Sequence, residues 1–328
     1  MMQSYRSRSD ALPLGQSYRS PFGDALPLVQ RKPATPISYY ALLAIVNTLA
    51  RLPFPLLYAL SDLLFLPFYH LIRYRRKIVR QNLTESFPHK NNKQIRHIEK
   101  KFYHAFLDIA LESCKLLTVS PQEIKQHIKF TNIETANELL SEGQSVALFM
   151  GHFGNWEWVS SISLWTCKEA VPAQIYKKLS NRAADSIMKK LRSRWGNVCV
   201  PMHSTARYIA TAVKRGTPLL MGFIADQSPR KKDAKHYLPF LNHNAPVLTG
   251  PEKITGHFHL HPLFLSINRV KRGFYECELI PLYDDTTPTL PPALTKHYYQ
   301  RLEQEILQQP ELYLWTHKRF RHAQPLNP

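Results

Sequence analysis

Several signatures of common enzyme classes are missing from this sequence. It has no Gly-x-Ser-x-Gly elbow, which argues against a serine esterase of the α/β-hydrolase kind. Neither a Walker loop nor Gly-x-Gly-x-x-Gly occurs, so nucleotide hydrolysis and dinucleotide binding have no support. Its four cysteines, Cys114, Cys167, Cys199 and Cys277, lie far apart and form no Cys-x-x-Cys pair. They read as reduced, buried thiols of a cytosol-facing protein, not as disulfides or a zinc site. Acidic charge is scarce: 24 Asp and Glu stand against 43 Lys and Arg, a net charge of +19. That balance predicts an anionic partner, and a membrane surface, a phosphorylated glycolipid, an acidic carrier protein and nucleic acid all qualify. Nucleic acid ranks last, because no recognisable motif interleaves the basic residues with aromatics on one face.

At 328 residues the chain has room for one large domain or two small ones, with an ample core. Residues 1–36 carry a near repeat, Gln3-Ser4-Tyr5-Arg6-Ser7 against Gln16-Ser17-Tyr18-Arg19-Ser20. Two such units are too few for a solenoid, and no apolar core of a signal peptide accompanies them, so a disordered tail is expected. Residues 37–80 hold the most apolar stretch, yet Arg51, Pro53, Pro55, Asp62 and Pro67 interrupt it. A bilayer span needs about 20 predominantly apolar residues, so one tilted span and a half-buried hairpin both fit. Arg73, Arg75, Arg76, Lys77 and Arg80 follow at once, as expected on the cytoplasmic side of an anchor facing anionic headgroups. Residues 81–328 would then form the cytosol-facing domain.

Within that domain Lys93–Leu117 predicts an amphipathic helix: Ile95, Ile98, Phe102, Phe106, Ile109 and Leu116 recur at helical spacing, with charge opposite. From Asn132 onward helices and strands alternate. Strands are expected at Ser145–Met150, Val171–Tyr176, Asn197–Met202, Pro218–Ile224, Leu263–Asn268 and Phe274–Ile280. Helices are expected at Asn155–Thr166, Asn181–Trp195, Thr205–Lys214 and Tyr298–Gln308, the last stopped by Pro310. The fold class is therefore α/β, a mixed sheet flanked by helices behind an N-terminal anchoring segment.

The stretch Val146-Ala147-Leu148-Phe149-Met150-Gly151-His152-Phe153-Gly154-Asn155-Trp156-Glu157 passes from an apolar strand through a glycine-flanked turn towards a helix. Such turns sit at the sheet edge where α/β proteins keep their chemistry. On one helix, five steps of about 100° would leave His152 and Glu157 roughly 140° apart. Cooperation therefore requires His152 in the turn and Glu157 in the first helical turn, with Asn155 as cap and Gly151 and Gly154 supplying unusual backbone angles. A neutral imidazole can take a proton from a hydroxyl, and a carboxylate on its other nitrogen fixes the tautomer and stabilises the imidazolium.

His-Phe-Gly-Asn-Trp-Glu at 152–157 resembles the signature of the lipid A late acyltransferase family. Arg76 through Leu83 with Phe87-Pro88, Tyr176 through Gly196, Ala225-Asp226-Gln227 and Leu314 through Phe320 follow in that family's order. One departure is Pro239-Phe240-Leu241, where the family usually places a glycine after the Phe, so a differently shaped loop is expected there. The resemblance implies a bacterial inner-membrane enzyme facing the cytoplasm. It would move a fatty acyl chain from acyl carrier protein, or another acyl thioester, to a hydroxyl of a phosphorylated glycolipid, and it implies no metal or cofactor. His152 and Glu157 would be catalytic, the first as base and the second orienting it. Asn155, Arg192, Asp226, Gln227, Lys318 and Arg319 would bind substrate.

The residues by themselves leave other readings open. Arg192 at a helix end is a solvated charge or a rigid donor fork for a phosphate or an oxyanion. Asp226 and Gln227 either orient the site or shape the turn before Pro229. Trp315, Lys318 and Arg319 serve membrane-surface contact or packing. His257, His259 and His261 would share one face of a strand, a weak metal-site pattern with no carboxylate or Cys nearby. An acceptor such as a lysophospholipid, or a non-catalytic basic lipid-binding protein, also fits the composition.

Overall fold

The computed structural model describes residues 37–282 and 292–324; the expected tail at 1–36 lies outside the described residues. The first helix, α1, spans Ile37–Arg51, and α2 spans Phe54–Pro67. Pro53 and Pro55 are tolerated because the first turn of α2 has no use for their missing N–H groups. Pro67 disturbs the far end, and the backbone continues as a π turn over Phe68–Ile72 that closes at Arg73 in the left-handed region (φ 51°).

Phe54–Ile72 is long and apolar enough to cross a bilayer: 19 residues with mean hydropathy 1.4. One side of it is nevertheless fastened to the protein. Both α1 and α2 pack against α4, Asn92–Lys115. Ser61 donates to Asp108 at 2.6 Å, Tyr58 to Glu112 at 2.9 Å and Tyr69 to Glu99 at 2.8 Å. Asp62 pairs with Arg272 at 2.7 Å. The opposite side leaves Leu56, Leu63, Leu66, Leu71 and Ile72 exposed. Phe54–Ile72 thus has one face packed on α4 and one apolar face exposed.

The 37–80 stretch is also not uniformly a basic surface. On α3, Arg76–Ser86, the guanidinium groups of Arg76 and Arg80 turn inward onto Glu99, while Arg73, Arg75 and Lys77 stay exposed. A capping box of Asn91 and Gln94 starts α4. Ile95, Ile98, Phe102, Ile109 and Leu116 are buried as the spacing predicts. The expectation that charge lies opposite fails in part, because Glu99, Asp108, Glu112 and Lys115 are buried too. With helices on more than one side, α4 has little free face; the three carboxylates accept from donors on α2, the π turn, α3 and beyond, and Lys115 donates to Leu52 O at 3.0 Å.

The remaining elements are α5 (Pro121–His127), β1 (Ile128–Thr131), α6 (Ile133–Ser141), β2 (Val146–Met150), β3 (Val171–Tyr176), α7 (Arg182–Arg192), β4 (Val198–Pro201), α8 (Thr205–Lys214) and β5 (Leu219–Ile224). They continue with β6 (His236–Phe240), β7 (His243–Val247), α9 (Gly250–His257), β8 (His261–Lys271), β9 (Phe274–Pro281) and α10 (Ala293–Gln308). A mixed seven-stranded sheet has the order β1-β9-β8-β2-β5-β3-β4. It is parallel at each pairing except β8 with β9. All six expected strands are in it. All five residues of β2 are buried, as a central parallel strand requires.

Two local expectations fail, and two features go unanticipated. No α-helix follows the motif: residues 155–157 form turns and a 3₁₀ segment covers Trp158–Leu164. His257 ends α9 and His259 is left-handed (φ 52°), so the three histidines do not share a strand face. The short β1 and the β6–β7 hairpin escape the sequence reading. The hairpin turns at Leu241 (φ 49°) and Asn242 (φ 62°), both left-handed as a two-residue type I′ loop demands. This is the position where the family resemblance leads one to expect glycine, and Leu241 occupies it while buried.

Candidate active site

The site forms at the carboxyl ends of β2 and β5, which lie side by side. Met150 pairs with Ile224 in parallel register. Two residues beyond each strand come His152 and Asp226, and the register carries them to the same level. His152 Nδ1 and Asp226 Oδ1 are 2.6 Å apart, with the side chains 20% and 3% exposed. The carboxylate can only accept, so Nδ1 carries the proton and Nε2 is the basic nitrogen. Gln227 lies beyond, its Nε2 3.5 Å from His152 Nε2. Burial disfavours charge on both members of the pair, but their mutual attraction and hydrogen bond outweigh it. His152 is therefore held above the ordinary imidazole range and Asp226 below the carboxylate range, with the Glu157 charge aiding the first and Arg319 the second.

The partner expected for His152 was Glu157, and the structure pairs them otherwise. Glu157 forms a two-point ion pair with Arg192, Nε to Oε2 at 2.7 Å and Nη2 to Oε1 at 2.6 Å. The physical reason is the missing helix. Without a helical turn from Asn155, the side chain of Glu157 faces the end of α7, where Asn181 caps the helix that presents Arg192. Glu157 still acts on His152 through its charge.

The turn itself is held from outside. Gly154 is left-handed (φ 57°), and an added Cβ would sit 2.6 Å from Ile267 Cγ2. Gly151 runs so close to α10 that its Cβ would lie 2.5 Å from Leu302 Cδ1. Phe153 and Tyr313 form an antiparallel bridge, flanked by Gly154 N–H to Leu312 O at 3.1 Å and Leu314 N–H to His152 O at 3.1 Å. Tyr298 and Tyr299 of α10 donate to the carbonyls of Met150 and Ala225, each at 2.9 Å, so one helix fixes both strand ends.

Two residues expected to bind substrate, Asn155 and Arg319, are engaged within the protein, and a third, Lys318, is free at the surface. Asn155 is buried with both ends of its amide occupied: Nδ2 donates to Glu112 at 2.7 Å and Oδ1 accepts from Trp158 N–H at 3.1 Å. Arg319 is 1% exposed and lies among the rings of Phe240, Tyr299 and Phe320, donating to Pro246 O at 2.9 Å and Tyr299 Oη at 3.1 Å. Lys318 is exposed, whereas Trp315 is buried. The 314–320 block is thus a clamp and not a surface tail. Asn82 of α3 donates to the carbonyls of Trp315 and His317, both at 2.8 Å. Glu112, which meets the turn through Asn155, is not among the residues that the sequence singles out. Its signal was there: an acid three residues after Ile109 and four before Leu116, on the apolar stripe.

The arrangement places an imidazole, held by a buried carboxylate, next to a carboxylate–guanidinium pair at the carboxyl edge of the sheet. Such a site suits transfer to a hydroxyl. No individual curated protein matches the chain. Comparison with protein families matches residues 29–322 to the bacterial lipid A biosynthesis acyltransferases. The match takes in both the His152 turn and the 314–320 clamp, and the chain belongs to the bacterial lipid A biosynthesis acyltransferase family.

Proposed function

We propose that this acyltransferase moves a fatty acyl chain from acyl carrier protein, or a related acyl thioester, to a hydroxyl of a phosphorylated lipid A precursor. The reaction would take place on the cytoplasmic face of the bacterial inner membrane. One observation carries the mechanism: the 2.6 Å bond between His152 and Asp226, which commits Nδ1 and leaves Nε2 as base. Nε2 removes the acceptor hydroxyl proton while the oxygen attacks the thioester carbonyl. The tetrahedral intermediate then collapses, the new C–O bond stays, the C–S bond breaks, and the imidazolium returns its proton to the leaving thiolate. No covalent acyl-enzyme is needed. Asp226 has the orienting role that a triad carboxylate has elsewhere.

Glu157 supports the imidazolium by its charge and holds Arg192. Two of the three guanidinium nitrogens face Glu157, and Nη1 is the one that can reach an acceptor phosphate or the oxyanion. Lys318, exposed near the clamp, suits an anionic headgroup. The exposed leucines of α2, with Arg73, Arg75 and Lys77 beside them, suit an anionic lipid surface on which the hairpin lies in the interface plane.

The test is acyl transfer by detergent-solubilised protein from a panel of acyl carrier protein thioesters to a tetra-acylated lipid A precursor, beside His152→Ala. Product made by wild type and abolished by the substitution supports the reading. Transfer only to a lysophospholipid would replace the acceptor, and a His152→Ala enzyme as active as wild type would overturn the mechanism.

A further inference from the structure

Glu112 is a buried carboxylate on α4 that the mechanism above does not use, and four separate elements converge on it. Its side chain has no exposure. Oε1 accepts from Tyr58 Oη of α2 at 2.9 Å. Oε2 accepts from Asn155 Nδ2 at 2.7 Å and from Tyr275 Oη of β9 at 2.9 Å. Its backbone carbonyl accepts from Trp158 Nε1 at 2.8 Å. A carboxylate has the acceptor capacity for three such donors, and burying one without them would cost several kcal/mol.

The residues gripped in the turn are the informative part. Asn155 and Trp158 stand on either side of Trp156 and Glu157, and Asn155 Oδ1 ties the two together through Trp158 N–H. Glu112 thus holds both ends of the short segment that carries Glu157. Residues 155–157 form a bend and a turn closed by one backbone bond, Trp158 N–H to Asn155 O at 3.1 Å, so the side-chain bonds of Asn155 add to a sparse backbone ladder. Glu157 in turn fixes Arg192. We propose that Glu112 is a positioning residue. It sets the Glu157–Arg192 pair relative to His152, and through Tyr58 it ties that geometry to α2, whose far side is the exposed apolar surface. This inference rests on the catalytic reading of His152 and its neighbours.

The polarity of the contact supplies the test. Glu112→Gln keeps size but leaves one acceptor oxygen where the carboxylate has two, so its NH2 faces either Asn155 Nδ2 and Tyr275 or the Tyr58 hydroxyl. Adding Asn155→Asp restores a donor–acceptor pair with the roles exchanged, and the introduced carboxylate can still accept from Trp158 N–H. Wild type, His152→Ala, Glu112→Gln, Asn155→Asp and the double variant are assayed for kcat and KM, with thermal unfolding as a folding control. The expected result is a kcat loss of roughly tenfold or more in each single variant, KM for the thioester within about threefold, and recovery of most of kcat in the double variant. Tyr58→Phe, which removes one donor of three, should lower kcat by only a few fold. A folded Glu112→Gln enzyme with wild-type kcat overturns the proposal. So does a double variant whose losses simply add, because two residues that act through one bond must couple. If instead wild type is inactive or His152→Ala is active, it is the catalytic reading that has failed.

Discussion

Asp226→Asn separates the two carboxylates near His152 and tests which one orients it. In the wild type a buried carboxylate lies 2.6 Å from Nδ1, where it would support the imidazolium of the proposed transfer. Asparagine keeps the shape and can still accept through its amide oxygen, so the tautomer survives while the charge is lost. A hydrogen bond to a charged group contributes about 1.5–3 kcal/mol, and the low exposure of Asp226 places it towards the upper part, about 2–3 kcal/mol. Converted at 1.36 kcal/mol per tenfold, kcat should fall roughly 30- to 150-fold. The pH profile supplies a second reading. The base must be neutral, so kcat/KM rises with pH through the His152 pKa and levels off above it. Burial lowers that pKa, but Asp226 and then Glu157 raise it by more, so the wild-type limb lies above the ordinary imidazole range. Without the Asp226 charge the limb should move to lower pH. The assay is steady-state transfer from about pH 5 to 9 with solubilised enzyme. A near-wild-type kcat with an unmoved limb would refute the assignment, and a larger loss in Glu157→Gln than in Asp226→Asn would return the orienting role to Glu157.

Other consequences follow from particular contacts. Glu157→Gln leaves the Arg192 guanidinium, 26% exposed, without its carboxylate, and should cost about 1–3 kcal/mol of stability in denaturant unfolding, the buried-pair value reduced for solvent screening. Gly154→Ala combines a left-handed backbone with a 2.6 Å approach to Ile267, so strain and overpacking together should destabilise by about 2–4 kcal/mol and lower Tm. At Leu241 (φ 49°), glycine loses the buried side chain but relieves the backbone, whereas alanine only loses packing. Leu241→Gly should therefore be the more stable of the two variants by about 1 kcal/mol, the reverse of the usual helix order. Replacing Leu63 and Leu66 by serine should weaken sedimentation with anionic vesicles and leave the unfolding midpoint nearly unchanged, since both side chains are exposed.

Much of the scaffold was legible in the residues. Short runs of strand-forming residues located all six expected strands, β3 to the residue; central β2 is continuously apolar, whereas β9 alternates. The 3.6-residue spacing located α4, and Asn91 with Gln94 marks its start. The glycines and histidine of the motif marked the turn after β2, since a strand end that needs a left-handed residue declares itself by its composition. Tertiary structure alone decided the partners. His152 and Asp226 are 74 positions apart, and only the adjacency of β2 and β5 brings them within 2.6 Å. Had that adjacency been known, the register would have paired them; the local spacing favoured Glu157, which the missing helix turns towards Arg192. Arg319 looked like a surface cation because sequence does not reveal that aromatic rings and carbonyls await it in the core. Glu112 was hidden for the same reason. A charge on an apolar stripe reads as an exception until the three donors that satisfy it, from α2, the site turn and β9, are seen to meet at one point. Periodicity records which face of an element is buried, but it does not record what lies across from that face.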